Sequence, residues 1–341
     1  MSAAVLRLSR AQVLAFRRRV GALDARLPAS PDAVRAAAWA GFQDSMPRAA
    51  LLSIHARVTG TGPESLSDPA LVQLWGPRFS AYVVAAADVA VFTLGRLPDD
   101  PAGRRRATET ADRLETFLDG RRMSYAEAGH GMDVPPNSLR YAAPTGRVLL
   151  HWDGARRPEI WMAPEPAMGA GEARLELARR YLHVFGPGTV EGFSAWAGLK
   201  PPAARSAFEK LAGFLIGVRT PAGDGLLLAA DEPAVRAAPG AAPAPVRLLP
   251  SGDAFYLLQG RDRTLLVPDA DHRAQLWTSR VWPGALLLDG EPAGTWRRAE
   301  AVVVIAPWRP LQPGEREAVE AEALSLPLPE LPRDITVRWE V

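Results

Sequence analysis

The order of apolar and polar positions predicts a unit of secondary structure that occurs twice in the chain. Residues 124–162 and 189–229 each give a short helix, a turn, a Pro-Pro pair, a second helix and a two-stranded hairpin. The Pro-Pro pairs indicate where the second helix starts, because N–H groups in a first turn lack intrahelical partners. A helix–turn–helix closed by a hairpin is typical of a winged helix, and two in tandem favour nucleic acid as the partner.

Patterning outside the repeats predicts a mixed N-terminal segment and a β-rich C-terminal part. Helices are expected at residues 5–21, 31–41, 49–58, 104–118, 172–185 and 315–324, and strands at 82–84 and 335–341. Residues 246–309 read as strands and turns, with hairpin signals at Asp289-Gly290 and Gly294. Residues 163–171 and 231–245 are predicted linkers, the second with little scope for a core.

The predicted fold class is therefore α+β, with tandem winged helix-turn-helix units and a C-terminal α+β domain that is rich in strands. The expected divisions are an N-terminal winged-helix-like domain (1–100), two winged helices (101–165 and 171–232) and the C-terminal domain (246–341). We expect the candidate active site to lie in the first of these domains.

Composition narrows the classes of function. Hydrophobic residues make up 48% of the chain and charged residues 23%, and the formal net charge is only +2. The positive charge is almost all arginine, whose planar fork of donors suits phosphate, although GC-rich coding would give the same bias. Cysteine is absent and the histidines have no metal-ligand spacing, so we expect no metal, no cofactor and no disulfide. Without a signal peptide or a membrane span, a cytoplasmic protein is expected.

In each repeat the second helix is the one expected to face a DNA groove. It carries Arg140 in the first repeat and Arg205 in the second. These residues could equally form solvated polar faces, and winged helices also serve as protein-interaction modules. Two or more units in one chain favour double-stranded DNA, because phosphate contacts along a duplex need a long surface. The runs Arg17–Arg19 and Arg104–Arg106 are open to the same two interpretations.

The candidate for chemistry is the segment 41–58, which places Gln43, Asp44 and Ser45 between two apolar helices. Polar side chains in such a setting need partners or a purpose. A structural interpretation is that Asp44 or Ser45 caps the helix that starts near Pro47.

Several motifs resemble those of the AlkZ/YcaQ-type winged-helix DNA glycosylases, and the resemblance spans most of the chain. Gly41-Phe42-Gln43 with Pro47-Arg48 is similar to the family's Gly-Leu-Gln-x-Gln block and the Pro-Arg that follows it. The other matching fragments are Arg78–Tyr82, Phe185–Thr189, Trp196 with Gly198-Leu199, Leu249-Pro250, Asp253, Arg261–Arg263, Asp289-Gly290 and Gly294–Arg298. The last, with its Gly-Thr-Trp-Arg tetrapeptide, is the most specific.

The resemblance implies a monofunctional DNA glycosylase that excises N-alkylated or bulky purines by attack of water at C1′. In the family, two glutamines separated by one residue position that water, and an acidic residue can stabilise the oxocarbenium charge. Catalytic residues would be Gln43, Asp44 and Ser45, and DNA-binding residues would be Arg48, Arg78, Arg140, Arg205, Arg261, Arg263, Trp296, Arg297 and Arg298. No cofactor is implied.

The chain departs from the family pattern at its catalytic block. Ser45 occupies the second glutamine position, Asp44 replaces an apolar residue, and Ser80 and Tyr82 stand where the family has Thr and His. Three alternatives are open: Asp44 serves as the polar partner with a locally shifted backbone, Ser45 holds the water more weakly, or this protein has lost catalysis and keeps only DNA binding. In the last case the protein would be a non-catalytic DNA-binding regulator or lesion-binding factor. If residues 43–45 are helical, Asp44 projects about 100° away from Gln43.

Overall fold

The computed structural model describes residues 5–154, 158–238, 244–328 and 334–340. The N-terminal segment combines short strands with helices on both sides of them. Its elements are β1 (Leu6–Arg7), α1 (Arg10–Val20), α2 (Pro31–Ala37), β2 (Phe42–Gln43), α3 (Ala49–His55), β3 (Leu71–Trp75), β4 (Ala81–Ala85) and α4 (Val89–Phe92). The three predicted helices are confirmed with shorter bounds, since residues 6–7 form β1, and the strand predicted at 82–84 is confirmed with longer bounds.

The two sequence repeats show the predicted order of elements. The first contains α5 (Pro101–Leu118), β5 (Met123–Ser124), α6 (Tyr125–Gly131), a 3-10 helix (Pro136–Thr145), β6 (Val148–His151) and β7 (Glu159–Met162). The second contains α7 (Ala170–Phe185), α8 (Val190–Ala197), α9 (Pro201–Leu211), β8 (Leu215–Thr220) and β9 (Gly223–Leu228). One detail differs from the prediction, since the second helix of the first repeat is a 3-10 helix. Pro144, which has no N–H to donate, lies inside it.

The C-terminal part carries more helix than predicted. Its elements are α10 (Glu232–Arg236), β10 (Arg247–Leu249), α11 (Arg261–Leu266), α12 (Ala270–Leu276), β11 (Gly284–Leu288), β12 (Glu291–Ala299), β13 (Val302–Pro307), α13 (Pro313–Leu324) and β14 (Thr336–Trp339). The hairpin at Asp289-Gly290 is confirmed, and both residues have positive φ (49° and 76°). Gly294 is not a turn but lies within β12, where a Cβ would be 2.6 Å from the Ala306 carbonyl oxygen.

The predicted linker at 231–245 was wrong in its first half. Residues Glu232–Arg236 form α10, and Val235 is fully buried in a core cluster shared with α1 and β8. A segment rich in alanine and proline can therefore still contribute to a core, here because Val235 packs against α1 and β8. Residues 239–243 of that linker lie outside the described residues.

Strands of the described residues form three sheets that join segments distant in sequence. The order in the largest is β2-β4-β3-β6-β7-β5, so the N-terminal segment and the first repeat share one sheet through Gln73 and Leu150. The second orders β1-β8-β9, with the N-terminal strand parallel to the second hairpin. The third orders β10-β11-β12-β13-β14. The mixed α+β class is thus confirmed.

Buried polar contacts tie the N-terminal helices to the rest of the chain. The Arg57 guanidinium donates to both Asp253 carboxylate oxygens at 2.7 Å, and the Ser53 hydroxyl donates to the same group at 2.7 Å. Arg17 donates to the carbonyls of Phe185 and Gly186. Arg17 and Arg18 are buried, so these two residues of the run form neither a solvent face nor a DNA contact, whereas Arg19 is exposed. In the described part of the chain, no helix is both long and apolar enough to cross a membrane.

Candidate functional site

Gln43 is the last residue of β2, and its strand conformation removes the helical alternative. It pairs with Tyr82 on β4, and the Asp44 N–H extends the pairing by donating to the Ala81 carbonyl at 2.7 Å. Because side chains alternate along a strand, Phe42 and Asp44 point into the protein and are buried. Gln43 points the other way and is half-buried, and Ser45, in the bend that follows β2, is exposed.

The Gln43 amide is held between three segments of the chain. Its Oε1 accepts a hydrogen bond from Arg78 Nη2 at 2.8 Å. Its Nε2 lies against Gly252, where an added Cβ would be only 2.9 Å away. The Arg78 backbone in turn packs against Gly198 at the end of α8, with 3.1 Å between Arg78 N and a Cβ placed there. Fragments that resemble the glycosylase motifs thus meet around one side chain.

The turn that presents Arg78 has an unusual backbone. Arg78 and Phe79 both adopt positive φ (55° and 57°), a region that non-glycine residues rarely enter and that costs of order 1–3 kcal/mol each. The Phe79 ring lies 5.0 Å from the guanidinium carbon of Arg96, which donates to the Trp75 carbonyl. Within the described residues Arg78 makes no ion pair with a carboxylate, and its side chain donates to Gln43.

Asp44 has a structural task of its own. Its carboxylate accepts from the Ala50 N–H at 3.0 Å and from Gln73 Nε2 at 2.8 Å. Burial raises the pKa of Asp44 to about 6, against the two hydrogen bonds and the Arg48 charge, which lower it. The capping interpretation is confirmed for Asp44, which satisfies the second residue of α3 from outside the helix.

Gln73 connects Asp44 to the first repeat. Besides its bond to Asp44, its Nε2 donates to the Trp152 carbonyl at 3.1 Å and its Oε1 accepts from the Trp152 N–H at 2.5 Å. All these amide contacts lie in one partly buried network, which fixes Trp152 relative to the Asp44 turn. Gln73 was missed in the sequence because a glutamine inside a strand gives no local signal.

Ser45 stands at the rim of a large cavity between the N-terminal segment and the first repeat. Its volume is about 800 Å³, and its lining includes Ser45, Ser80, Trp75, Phe79, Tyr125, His130, Arg140 and Trp152. Trp75 and Tyr125 make an edge-to-face contact with ring centroids 6.1 Å apart. The aromatic residues that line the cavity are far apart in the sequence, so no local motif predicts that they form one cavity.

Four of the predicted DNA-binding arginines lie near one another in twos, Arg78 with Arg263 and Arg48 with Arg298. Burial, followed by the nearby Arg78 charge, lowers the pKa of Arg263, and burial followed by Arg48 lowers that of Arg298. The Arg263 guanidinium also lies 5.1 Å from both the Trp277 and Trp282 rings. Like charges held close together are typical of a surface that binds an anion.

The remaining predicted residues are dispersed. Arg205 on α9 and Arg297 on β12 are exposed, and Arg261 donates to the Asp224 carbonyl at 3.0 Å beside the second hairpin. Arg140 lies in the wall of the aromatic cavity. Trp296 is a correction, because its indole is only 4% exposed and donates to the Leu249 carbonyl, which makes it core rather than surface. The described residues contain no group of three or more His, Asp or Glu placed to hold a metal.

A family described as "DNA glycosylase AlkZ-like" matches residues 34–326, and the chain belongs to that family. The chain is 28% identical over 192 residues to an interstrand DNA cross-link repair glycosylase of Streptomyces sahachiroi, covering 55% of this chain and 47% of that protein. It thus matches about half the length of this curated relative.

The fold is also similar to a solved structure. The DNA glycosylase AlkZ of Streptomyces sahachiroi superposes with a TM-score of 0.78 at 18% identity, covering 98% of this chain and 100% of that one. At this identity the likeness concerns the fold alone.

Proposed function

We propose that this protein is a monofunctional DNA glycosylase that hydrolyses the N-glycosidic bond of N-alkylated or bulky purines in double-stranded DNA. The observation that carries the proposal is the 2.8 Å hydrogen bond from Arg78 to Gln43, two residues before Ser45, which lines the aromatic cavity. Membership of the AlkZ-like family supports it. A cytoplasmic location follows from the same proposal.

The chemistry asked of the protein is modest. An N-alkylated purine is positively charged, so it leaves with the C1′–N bond electrons as a neutral base. Water then forms the new C1′–O bond and loses a proton to solvent. A carboxamide is a poor base, but orienting the water supplies much of the help. The Gln43 amide and the Ser45 hydroxyl would hold that water, with Ser45 replacing the second glutamine of the family.

Asp44 takes a different part in this proposal. Its carboxylate is occupied by Ala50 and Gln73 and faces away from Gln43, so it is poorly placed to bind the water. It positions Ser45 by fixing the turn that follows β2. Ionised at neutral pH behind the strand, its negative charge would also favour the oxocarbenium ion in a low-dielectric setting.

DNA would be held by the two repeats acting as winged helices and by the arginines around Gln43. Arg48, Arg78, Arg263 and Arg298 form no ion pair with a carboxylate among the residues that the structure describes, although Arg48 lies near Asp44, and this suits them to phosphate. Arg140, Arg205, Arg261 and Arg297 extend the proposed contacts. The logarithm of the DNA-binding constant should fall linearly with the logarithm of the salt concentration, with a slope of roughly −0.9 for each phosphate neutralised.

A duplex carrying N7-alkylated guanine tests the proposal when abasic sites are revealed by alkaline cleavage. Strand breaks should form with the unaltered protein and with Gln275→Ala, an exposed glutamine on α12. They should disappear with Gln43→Ala while duplex binding persists.

The presence of Ser45 at the second glutamine position favours one other candidate, a non-catalytic lesion-binding protein. Tight salt-dependent binding without breaks above background would support that candidate instead.

A further inference from the structure

We infer that the aromatic cavity behind Ser45 receives the purine base after its extrusion from the duplex, and that Arg140 reads the O6 atom of guanine there. This inference rests on the proposed glycosylase function and assigns the substrate base and the residue that selects it. Enzymes that act on a base inside a duplex commonly turn it out of the stack into a pocket.

The walls of the cavity suit a flat, electron-poor ring. Trp75, Phe79, Tyr125 and Trp152 all line it, and they come from four separate elements or loops. Bases stack on aromatic side chains with a stabilisation of roughly 1–3 kcal/mol each. The volume of about 800 Å³ falls within the usual range for small-molecule sites and leaves room for a substituent on the base.

Arg140 provides the polar contact that such a site needs. Its Nε is buried and has no hydrogen-bond partner among the described residues. Its guanidinium carbon lies 5.9 Å from the Trp75 ring and 6.0 Å from the Tyr125 ring, so the aromatic wall holds the group in place. Nε is enclosed by protein, whereas no hydrogen bond or ion pair within the described residues occupies the Nη donors of this cavity-lining guanidinium, which can therefore meet an acceptor on a bound group.

Guanine fits this donor better than adenine does. Alkylation at N7 removes one acceptor of guanine but leaves O6, which arginine recognises in its commonest base contact. Adenine presents an N6 amino group at the same place, and two donors would then face each other. The cavity should therefore prefer alkylated guanine to alkylated adenine.

The position of the cavity connects it to the proposed chemistry. Ser45 and Ser80 lie at its edge, and Gln73 joins the Trp152 backbone to the Asp44 carboxylate. A base stacked against Trp152 would bring its sugar towards Ser45 and Gln43. Recognition and water placement would then depend on one hydrogen-bonded network.

Calorimetric titration of the full chain with free 7-methylguanine and 3-methyladenine tests the inference without requiring DNA. We expect 7-methylguanine to bind about tenfold more tightly, and Arg140→Leu to abolish that preference. Arg122→Leu is the matched control, since Arg122 also stacks on an indole of the same repeat (3.7 Å from the Trp161 ring) but lies outside the cavity. Its preference should be unchanged.

A second variant keeps the test valid if Arg140→Leu does not fold. Trp152→Leu should weaken the binding of both bases about tenfold, because stacking is lost, while the ratio of the two dissociation constants stays the same. No measurable base binding, or binding unaltered by both substitutions, overturns the inference.

Excision assays separate this inference from the proposed function. If Arg140→Leu excises N7-alkylated guanine at the unaltered single-turnover rate, the cavity assignment fails and the glycosylase proposal stands. If the free bases bind as expected but the unaltered protein excises nothing, the cavity assignment stands and the glycosylase proposal fails.

Discussion

Arg78 Nη2 donates a hydrogen bond to Gln43 Oε1 at 2.8 Å, and this contact fixes which end of the amide faces which neighbour. It leaves Nε2 beside Gly252, where there is no room for a side chain. The arginine reaches Gln43 from a turn whose backbone is itself strained. Strain retained at a polar site is a reason to look for function there.

Two replacements of Arg78 separate the effect of its hydrogen bond to Gln43 from the effect of its strained backbone. Arg78→Gly and Arg78→Ala both remove the guanidinium, so both should slow excision about 10- to 100-fold through misplacement of Gln43. Only glycine tolerates φ of 55° without cost, so the glycine variant should be more stable than the alanine variant by about 1 kcal/mol. Urea unfolding of the two variants measures this difference. An alanine variant as stable as the glycine variant would contradict the strained turn.

Asp44→Asn should destabilise the protein although the side chains have the same shape. The new Nδ2 would face Gln73 Nε2, and Gln73 cannot rotate because Trp152 holds both ends of its amide. Two opposed buried donors should cost about 1–3 kcal/mol of unfolding free energy. Asp68→Asn is a matched control, because Asp68 also accepts from a backbone N–H but is only partly buried and its bond lies at the surface, so it should change stability little. Equal stability of the two variants would rule out the Asp44–Gln73 network.

The pH dependence of stability reports on the burial of Asp44. Its pKa is raised to about 6, so the folded state holds the proton more tightly than the unfolded state. The stability it contributes is complete below the unfolded pKa near 3.8 and is lost as pH rises through about 6. His55 acts in the opposite direction, since burial lowers its pKa to about 4 and its contribution is lost as pH falls.

The non-titrating variant Asp44→Asn isolates the first effect from the second. The unfolding free energy of the unaltered protein minus that of the variant should fall between pH 4 and pH 7. Urea unfolding at a series of pH values gives this difference. A difference that stays flat or grows with pH would show that the Asp44 carboxylate is not desolvated.

The Arg57–Asp253 pair should be essential for joining α3 to the C-terminal part. Both side chains are almost fully buried, so removing one leaves the other charge without a partner. Arg57→Leu should cost about 3–5 kcal/mol of unfolding free energy. Arg35→Leu removes an arginine from an ion pair whose arginine is exposed, and should cost much less. A small effect of Arg57→Leu in urea unfolding would contradict the burial of this pair.

The sequence allowed the repeats and most helices to be predicted because their signals are local. Prolines, caps and apolar spacing around Pro136 and Pro201 act within a few residues. Sheet membership could not be predicted, since β1 pairs with β8 across two hundred residues and β3 joins β6 through a single pair. Long-range strand pairing leaves no trace in local pattern.

The candidate site also combines residues that local sequence signals reveal with residues that only the fold brings together. Gln43, Asp44 and Ser45 were found because polar residues interrupt an apolar stretch, and their strand geometry then separated Asp44 from the other two. Gln73, Trp75 and Trp152 were missed as site residues because only folding brings them to Ser45. Trp296 was wrongly assigned to the DNA-binding surface because it lies in the Gly-Thr-Trp-Arg motif. Its side chain instead packs in the core beside the C-terminal sheet.

The release of free base under single-turnover conditions tests the central claim most directly. DNA containing N7-alkylated guanine is incubated with excess protein, and the liberated base is quantified with time for the unaltered chain, Gln43→Ala and Gln275→Ala. The account predicts rapid release by the unaltered chain and Gln275→Ala, and a rate at least about 100-fold lower for Gln43→Ala at equal DNA saturation. Release at the same rate by Gln43→Ala, or no release by any of the three, would contradict it.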